Sequence, residues 1–260
     1  MEFLSNPEVW GALITLTFLE IVLGVDNIIF ISIASNKLKI EEQPKARNIG
    51  LALAMIFRLI LLFFITALTA MQEPIFSVEW DWMHGAFSGQ SLILLGGGLF
   101  LLYKSTSEIH HKVEGESEEE DKNSTKKATL GNVIFQIALI NVVFSFDSIL
   151  TAIGMTNGLE GALPVMMIAV VLSMVIMMVF AGPVGKFVNN HPTIQMLGLS
   201  FLILIGFMLI AESCHMANVE IFSQHIGVIP KGYLYFAISF SLLVEFLNIK
   251  MKKNKKPKKA

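Results

Sequence analysis

Three polar residues, Glu20, Asp26 and Asn27, interrupt an otherwise apolar run from Val9 to Ile33. The run is long enough to cross a bilayer as a helix. An Asp at the centre of such a helix costs about 2.5–3.5 kcal/mol to insert, so it needs an ion, a proton or a partner charge nearby. The pattern occurs twice. Residues Leu139 to Leu150 repeat Phe18 to Ile29, with Asp147 aligned to Asp26 121 residues later. Asn141 stands in the place of Glu20, and Ser148 in the place of Asn27.

On a regular helix Glu20, Gly24 and Asn27 share one face, and Asp26 lies about 100° away. Asn141, Ser145 and Ser148 repeat that face, and Asp147 repeats the offset. Oxygen ligands of this kind suit hard divalent cations such as Mg²⁺, Ca²⁺ or Mn²⁺, and one such ion would neutralise two aspartates. A helix break at Gly24 and another at Ser145 would turn both Asp side chains and the freed carbonyls toward one axial point. The competing explanation is structural: the acids pair with Arg58, or share a proton, and only fix helix packing. Arg58 is the one basic residue inside a span and is therefore a candidate counter-ion.

The elements that must position these residues follow from composition. Of 260 residues 54% are hydrophobic and only 15% charged, which excludes an ordinary soluble domain and points to a polytopic membrane protein. One cysteine, Cys214, excludes an internal disulfide and a Cys-rich soft-metal site. No GxxxxGK[ST] motif occurs, so ATP is not expected to drive the protein directly. Residues 1 to 8 lack the Lys or Arg of a cleavable signal peptide, so the first span is expected to be retained. Seven apolar segments run near Val9–Ile33, Ile49–Met71, Ser88–Thr106, Leu130–Ile153, Ala162–Phe180, Ile194–Ala211 and Tyr233–Ile249. Each must be helical, because an open strand leaves backbone groups unsatisfied in hydrocarbon. The expected fold is all-α, with seven transmembrane helices.

Charge sets the expected orientation. All but two of the nineteen Lys and Arg residues fall in the first, third and fifth loops and the C-terminal tail; the exceptions are Arg58 and Lys231. The positive-inside rule then puts the N-terminus out and the C-terminus in the cytoplasm, with Glu118 and Lys258 inside and Trp80 and His225 outside. Three spans separate the two Asp motifs, so the first and fourth helices cross in opposite directions. That spacing predicts an inverted 3+3 repeat with a seventh helix appended, an architecture of transporters that bind at the midplane. The expected divisions are a first repeat over 1–111, a disordered charged cytoplasmic linker over 112–129 and a second repeat over 130–215. An outer loop with the seventh helix over 216–249 and a basic tail over 250–260 complete the chain. The linker carries Glu114, Glu116, Glu118, Glu119, Glu120 and Asp121 and reads as solvated chain.

Other candidates for chemistry are less centred. The third span ends with Glu108 and His111, the sixth with Glu212 and His215, each pair on one helical face. Glu108 and Glu212 are candidate access-path residues at opposite surfaces. His110, His111 and His215 read as polar residues at helix ends, and the fourteen methionines as scattered, lipid-facing residues. Gln72 to Gly85, acidic and aromatic, reads as an outer interfacial segment.

Taken together, Glu20-x5-Asp26-Asn27, Phe144-Ser145-Phe146-Asp147-Ser148 and Tyr103-Lys104-x3-Glu108 resemble the TerC family of integral membrane proteins. The resemblance covers essentially the whole chain. It implies manganese export from the cytoplasm, with tellurite resistance and metal supply to exported proteins also associated with the family. It further implies that Glu20, Asp26, Asn27, Asn141, Asp147 and Ser148 line the ion site. The expected function is export of a divalent cation, with Mn²⁺ the expected cargo, by alternating access in the bacterial inner membrane. No enzymatic activity, prosthetic group or nucleic-acid partner is expected. The alternative is a membrane assembly or metal-delivery factor that associates with protein translocation machinery. An intramembrane aspartyl protease is excluded, because neither Leu23-Gly24-Val25-Asp26 nor Phe144-Ser145-Phe146-Asp147 matches the Gly-x-Gly-Asp motif. With no soluble domain read after the seventh span, the chain is expected to group with membrane-only members.

Overall fold

Each of the seven apolar segments is helical. The computed structural model describes residues 7–64, 70–114, 129–156, 158–159 and 161–254, without the side chains of Leu23, Val25, Asp26, Asp147, Lys253 and Asn254. In chain order the elements are α1 (Pro7–Leu23), α2 (Val25–Ser35), α3 (Gln43–Phe63), β1 (Pro74–Trp80), β2 (Met83–Ser88) and α4 (Gly89–Glu114). They continue with α5 (Leu130–Met155), α6 (Ala162–Asn189), α7 (Pro192–Met216), β3 (Glu220–Ile221), β4 (Gln224–His225) and α8 (Lys231–Asn254). With α1 and α2 counted as one interrupted span, seven are long and apolar enough to cross a membrane among the described residues. Helix α4 runs to Glu114, past the boundary expected at residue 111. The rest of the linker, 115–128, lies outside the described residues, as does the tail from 255.

The first span is interrupted at Gly24. The Gly24 N–H reaches the Ile21 carbonyl at 3.1 Å, and its own carbonyl accepts from Ile28 N at 3.1 Å, so the helix resumes after a single turn residue. A Cβ at position 24 would lie 2.2 Å from Met177 Sδ, so a side chain there would displace the Met177 thioether of α6. The matching break expected at Ser145 does not occur, and α5 is continuous from Leu130 to Met155. Ser145 Oγ donates to the Asn141 carbonyl at 2.6 Å, and Asn141 Nδ2 donates to the Ile137 carbonyl at 2.9 Å. Such bonds satisfy the polar groups within the helix while the backbone continues.

Packing pairs α4 with α7, α3 with α5, and both α1 and α2 with α6. The α4–α7 contact is backbone on backbone. A Cβ on Gly98 would lie 2.7 Å from the Gly206 carbonyl oxygen, and one on Gly206 would lie 3.0 Å from that of Gly98. Small residues at such crossings are the usual device where lipid supplies no hydrophobic drive. The core between the helices is filled by residues such as Phe30, Leu51, Leu101, Ile137 and Leu199. Helix α8 lies at the periphery, with Tyr233, Phe236, Phe240 and Phe246 exposed and Leu234 packed inward.

One element was not expected from hydropathy. The Gln72–Gly85 segment forms most of a β-hairpin, part of a four-stranded antiparallel sheet in the order β1-β2-β3-β4. Met83 pairs with Ile221 and His84 with Glu220. This pairing brings the loop after the second span and the loop after the sixth to one end of the bundle, here the hairpin end. Lys37, Lys104 and Lys112 mark the opposite, lysine end.

Candidate cation site

Glu20 sits one turn before the Gly24 interruption and Asn27 in the first turn after it. Arg58 comes from α3 and Ser148 from α5. All four are buried, with exposures of 5–8%. The Arg58 Nη2 donates to Glu20 Oε1 and to Ser148 Oγ, so one guanidinium nitrogen joins three helices. The Ser148 hydroxyl donates onward to the Ser145 and Phe144 carbonyls, at 3.1 and 3.2 Å. Desolvating two charges offsets most of their attraction, so a buried ion pair adds little net stability. Removing one partner alone costs about 3–5 kcal/mol.

These residues form the floor of a cavity of about 260 Å³. Phe201 and Ile205 of α7 and Ile238 of α8 supply part of its apolar wall. Glu212, near the end of α7, and Lys231, at the start of α8, line it toward the hairpin end. Lys231 Nζ donates to Thr151 Oγ1 at 2.9 Å, tying α8 to α5 there.

The lysine end is bridged by polar contacts. Glu108, buried in α4, accepts from Lys37 beyond α2 and, at 2.9 Å, from Lys104. Asn189 at the end of α6 donates to Asn36 at 2.7 Å. Lys112 donates to Gln195 of α7, and Gln195 Nε2 donates to the Val188 carbonyl at 3.1 Å. These bonds tie α2 to α4 and α6, and α7 to α4 and α6.

The sequence-derived site therefore divides. Glu20, Asn27 and Ser148 meet on the cavity floor with Arg58, and Glu212 lines the path toward the hairpin end. Asn141 does not line the cavity, because its amide is bound back to Ile137. The side chains of Asp26 and Asp147 lie outside the described residues. Their backbones directly precede Asn27 and Ser148 in α2 and α5. Glu108 belongs to the bridged lysine end. His110 pairs with Glu114 on the exposed face of α4 at 3.0 Å, and His111 and His215 are also exposed. The lipid-facing expectation fails for Met166, Met174, Met177 and Met208, which are buried, and Met177 and Met208 line the cavity. Lys231 was also not singled out as a cavity residue, although its place as the lone basic residue on the hairpin side was a visible signal.

Among the described residues no three His, Cys, Asp or Glu side chains gather as a metal cluster. The described groups at the floor, Glu20, Asn27, Ser145 and Ser148, supply one carboxylate, one amide and two hydroxyls, all oxygen-bearing. That chemistry fits a hard divalent ion in kind, and a full shell takes six or more oxygens.

The sequence pattern of the integral membrane protein TerC family matches residues 5–260. The chain belongs to the TerC family. Among TerC relatives, the UPF0053 inner membrane protein YgdQ of Escherichia coli K12 is 45% identical over 253 residues, covering 97% of this chain and 98% of YgdQ. A UPF0053 protein of Haemophilus influenzae is 42% identical over 252 residues, covering 97% of this chain and 98% of its own length. The UPF0053 inner membrane protein YoaE of E. coli K12 is 44% identical over 248 residues, 95% of this chain. The chain spans only 44% of the length of YoaE. No solved structure matches this TerC chain.

Proposed function

We propose that this TerC protein is a transporter that exports a divalent cation, with Mn²⁺ the expected cargo, from the cytoplasm across the bacterial inner membrane. The observation that carries the reading is the cavity. Its oxygen-lined floor is buried among helices, it extends toward the hairpin end, and the lysine end is tied shut by polar contacts. Such a shape suits the outward-facing state of a carrier whose other state opens where Glu108 now sits. Membership of the TerC family supports the membrane setting, and the relatives named as inner membrane proteins support the location.

The cycle we propose is alternating access between two inverted halves, α1–α4 and α5–α7. The packing supports it, since exchanging first for fourth, second for fifth and third for sixth spans maps the largest pairings onto one another, α4–α7 and α3–α6 each onto itself and α3–α5 onto α1–α6. Asp26 and Asp147 would complete the oxygen shell begun by Glu20, Asn27 and Ser148. A cation leaving such carboxylates exposes negative charge, which must be compensated before the empty carrier can close around it. Nothing in this cycle calls for bond-making catalysis or a prosthetic group.

A second reading, a metal-delivery or assembly factor at the translocation machinery, draws on the sheet. Trp80, Trp82 and Phe222 lie exposed and in contact at the hairpin end. The two readings separate in cells lacking and overproducing the protein, grown across a series of Mn²⁺, Mg²⁺, Zn²⁺ and Co²⁺. Transport predicts that cellular Mn falls on overproduction and rises on deletion, with growth tracking Mn²⁺ load. Unchanged metal content alongside defects in exported proteins would favour the second reading.

A further inference from the structure

Arg58 puts a fixed positive charge on the oxygens that a cargo cation would use. Its Nη2 bonds Glu20 and Ser148, two of the oxygen-bearing residues on the cavity floor. A cation binding those oxygens competes with the guanidinium, and the two like charges repel strongly at contact distance in a buried site. The competition cannot be relieved by deprotonation, because arginine stays charged in proteins. The guanidinium stands at the end of a long, multiply rotatable side chain, whose rotation is the movement that leaving these partners calls for.

Resting on the exporter reading above, we infer that Arg58 is the resident counter-cation of the empty carrier. It leaves Glu20 and Ser148 as the cargo binds and returns as the cargo departs. The floor is then charge-compensated in the loaded and the empty states alike. The empty carrier can close and reorient without an uncompensated buried carboxylate and without carrying protons back. Remove Arg58, and only the loaded carrier is compensated. Such a carrier swaps one cargo ion for another but cannot complete net export.

The test uses the full chain purified into liposomes, with two measurements on each variant. One is net Mn²⁺ efflux from loaded vesicles into Mn²⁺-free buffer; the other is exchange of radioactive Mn²⁺ at equal concentrations on both sides. Wild type should sustain both. Arg58→Gln should keep exchange while net efflux falls at least tenfold, and should bind Mn²⁺ more tightly by thermal shift because the competitor has gone. Arg58→Lys keeps a charge but not the planar fork and should lie between. A wild-type ratio of the two modes in Arg58→Gln overturns the inference, whether or not protons have taken over the compensation. So does a folded Arg58→Gln that has lost both modes. If Arg58→Gln does not fold, the ratio is read in Arg58→Lys, where a raised exchange-to-net ratio supports the inference and a wild-type ratio overturns it. Wild type moving no Mn²⁺ in either mode would instead sink the exporter reading, independently of any variant.

Discussion

Glu20 has no carboxylate counterpart in the second half of the chain, where Asn141 stands in its place, and the tertiary structure separates the two further. Glu20 reaches the cavity floor and Arg58; Asn141 is bonded back along its own helix. The aspartates that follow each of them carry the matched charge. Replacing Asp26 or Asp147 by Asn keeps shape and hydrogen bonding but removes a charge from a desolvated divalent site. That loss corresponds to several kcal/mol, on the order of 10³-fold in affinity. The helices should insert at least as well, since a charge has gone from the membrane. Mn²⁺ efflux should therefore be abolished in Asp26→Asn and in Asp147→Asn while immunoblots show unchanged protein. His110→Ala and His111→Ala should be mild. Full efflux in either Asn variant, or activity lost only in step with protein, would count against the site.

At the scale of elements, the two halves differ in where the helix yields. Gly24 interrupts the first span, whereas α5 runs unbroken through the matching Ser145, whose hydroxyl bonds the Asn141 carbonyl of its own helix. Movement about a hinge would then be concentrated at Gly24, against Met177 of α6. The α4–α7 pair, which joins the two halves, is closely packed, because Gly98 and Gly206 bring backbone against backbone. A methyl group added at Gly98 has no room except by spreading the two helices. Gly98→Ala should lower stability by about 1–3 kcal/mol, the usual cost of overpacking. Gly96→Ala, two residues away and with nothing within 4 Å of the added carbon, should be close to neutral. Thermal melts of the two purified variants in detergent make the comparison, and equal melting temperatures would contradict the close packing.

For the whole molecule, the division into a hairpin end and a lysine end carries the functional argument. The strand pairing of residues 83–84 with 220–221 requires both loops on one side of the membrane. The orientation we propose from the bias of Lys and Arg makes that side the exterior. In a Cys214→Ser background, an impermeant thiol reagent added outside intact cells should modify Trp80→Cys and spare Glu118→Cys. The reverse pattern would invert the orientation and put the hairpin end, toward which the cavity extends, in the cytoplasm.

Hydropathy, the doubled acid motif and the Lys and Arg distribution are properties of contiguous residues, so the sequence by itself determined the seven spans, the family and the polar positions worth testing. It also made Arg58 a candidate counter-ion, because a lone basic residue in a span needs a partner. Which partner was decided by tertiary structure. Glu20 and Ser148 are 38 and 90 residues from Arg58, and only the meeting of α1, α3 and α5 brings them within hydrogen-bond reach. The same holds for the tied lysine end, built from residues of four helices and their flanks. The sheet escaped notice for a different reason: β3 and β4 are two residues each, too short to show alternation, and exist by pairing with a hairpin more than 130 residues away. A polar residue in a span can satisfy itself on its own helix. Asn141 bonds back along its own helix and is absent from the cavity lining, whereas Ser145 bonds back in the same way and lines the cavity as well. Spacing alone does not distinguish the two outcomes.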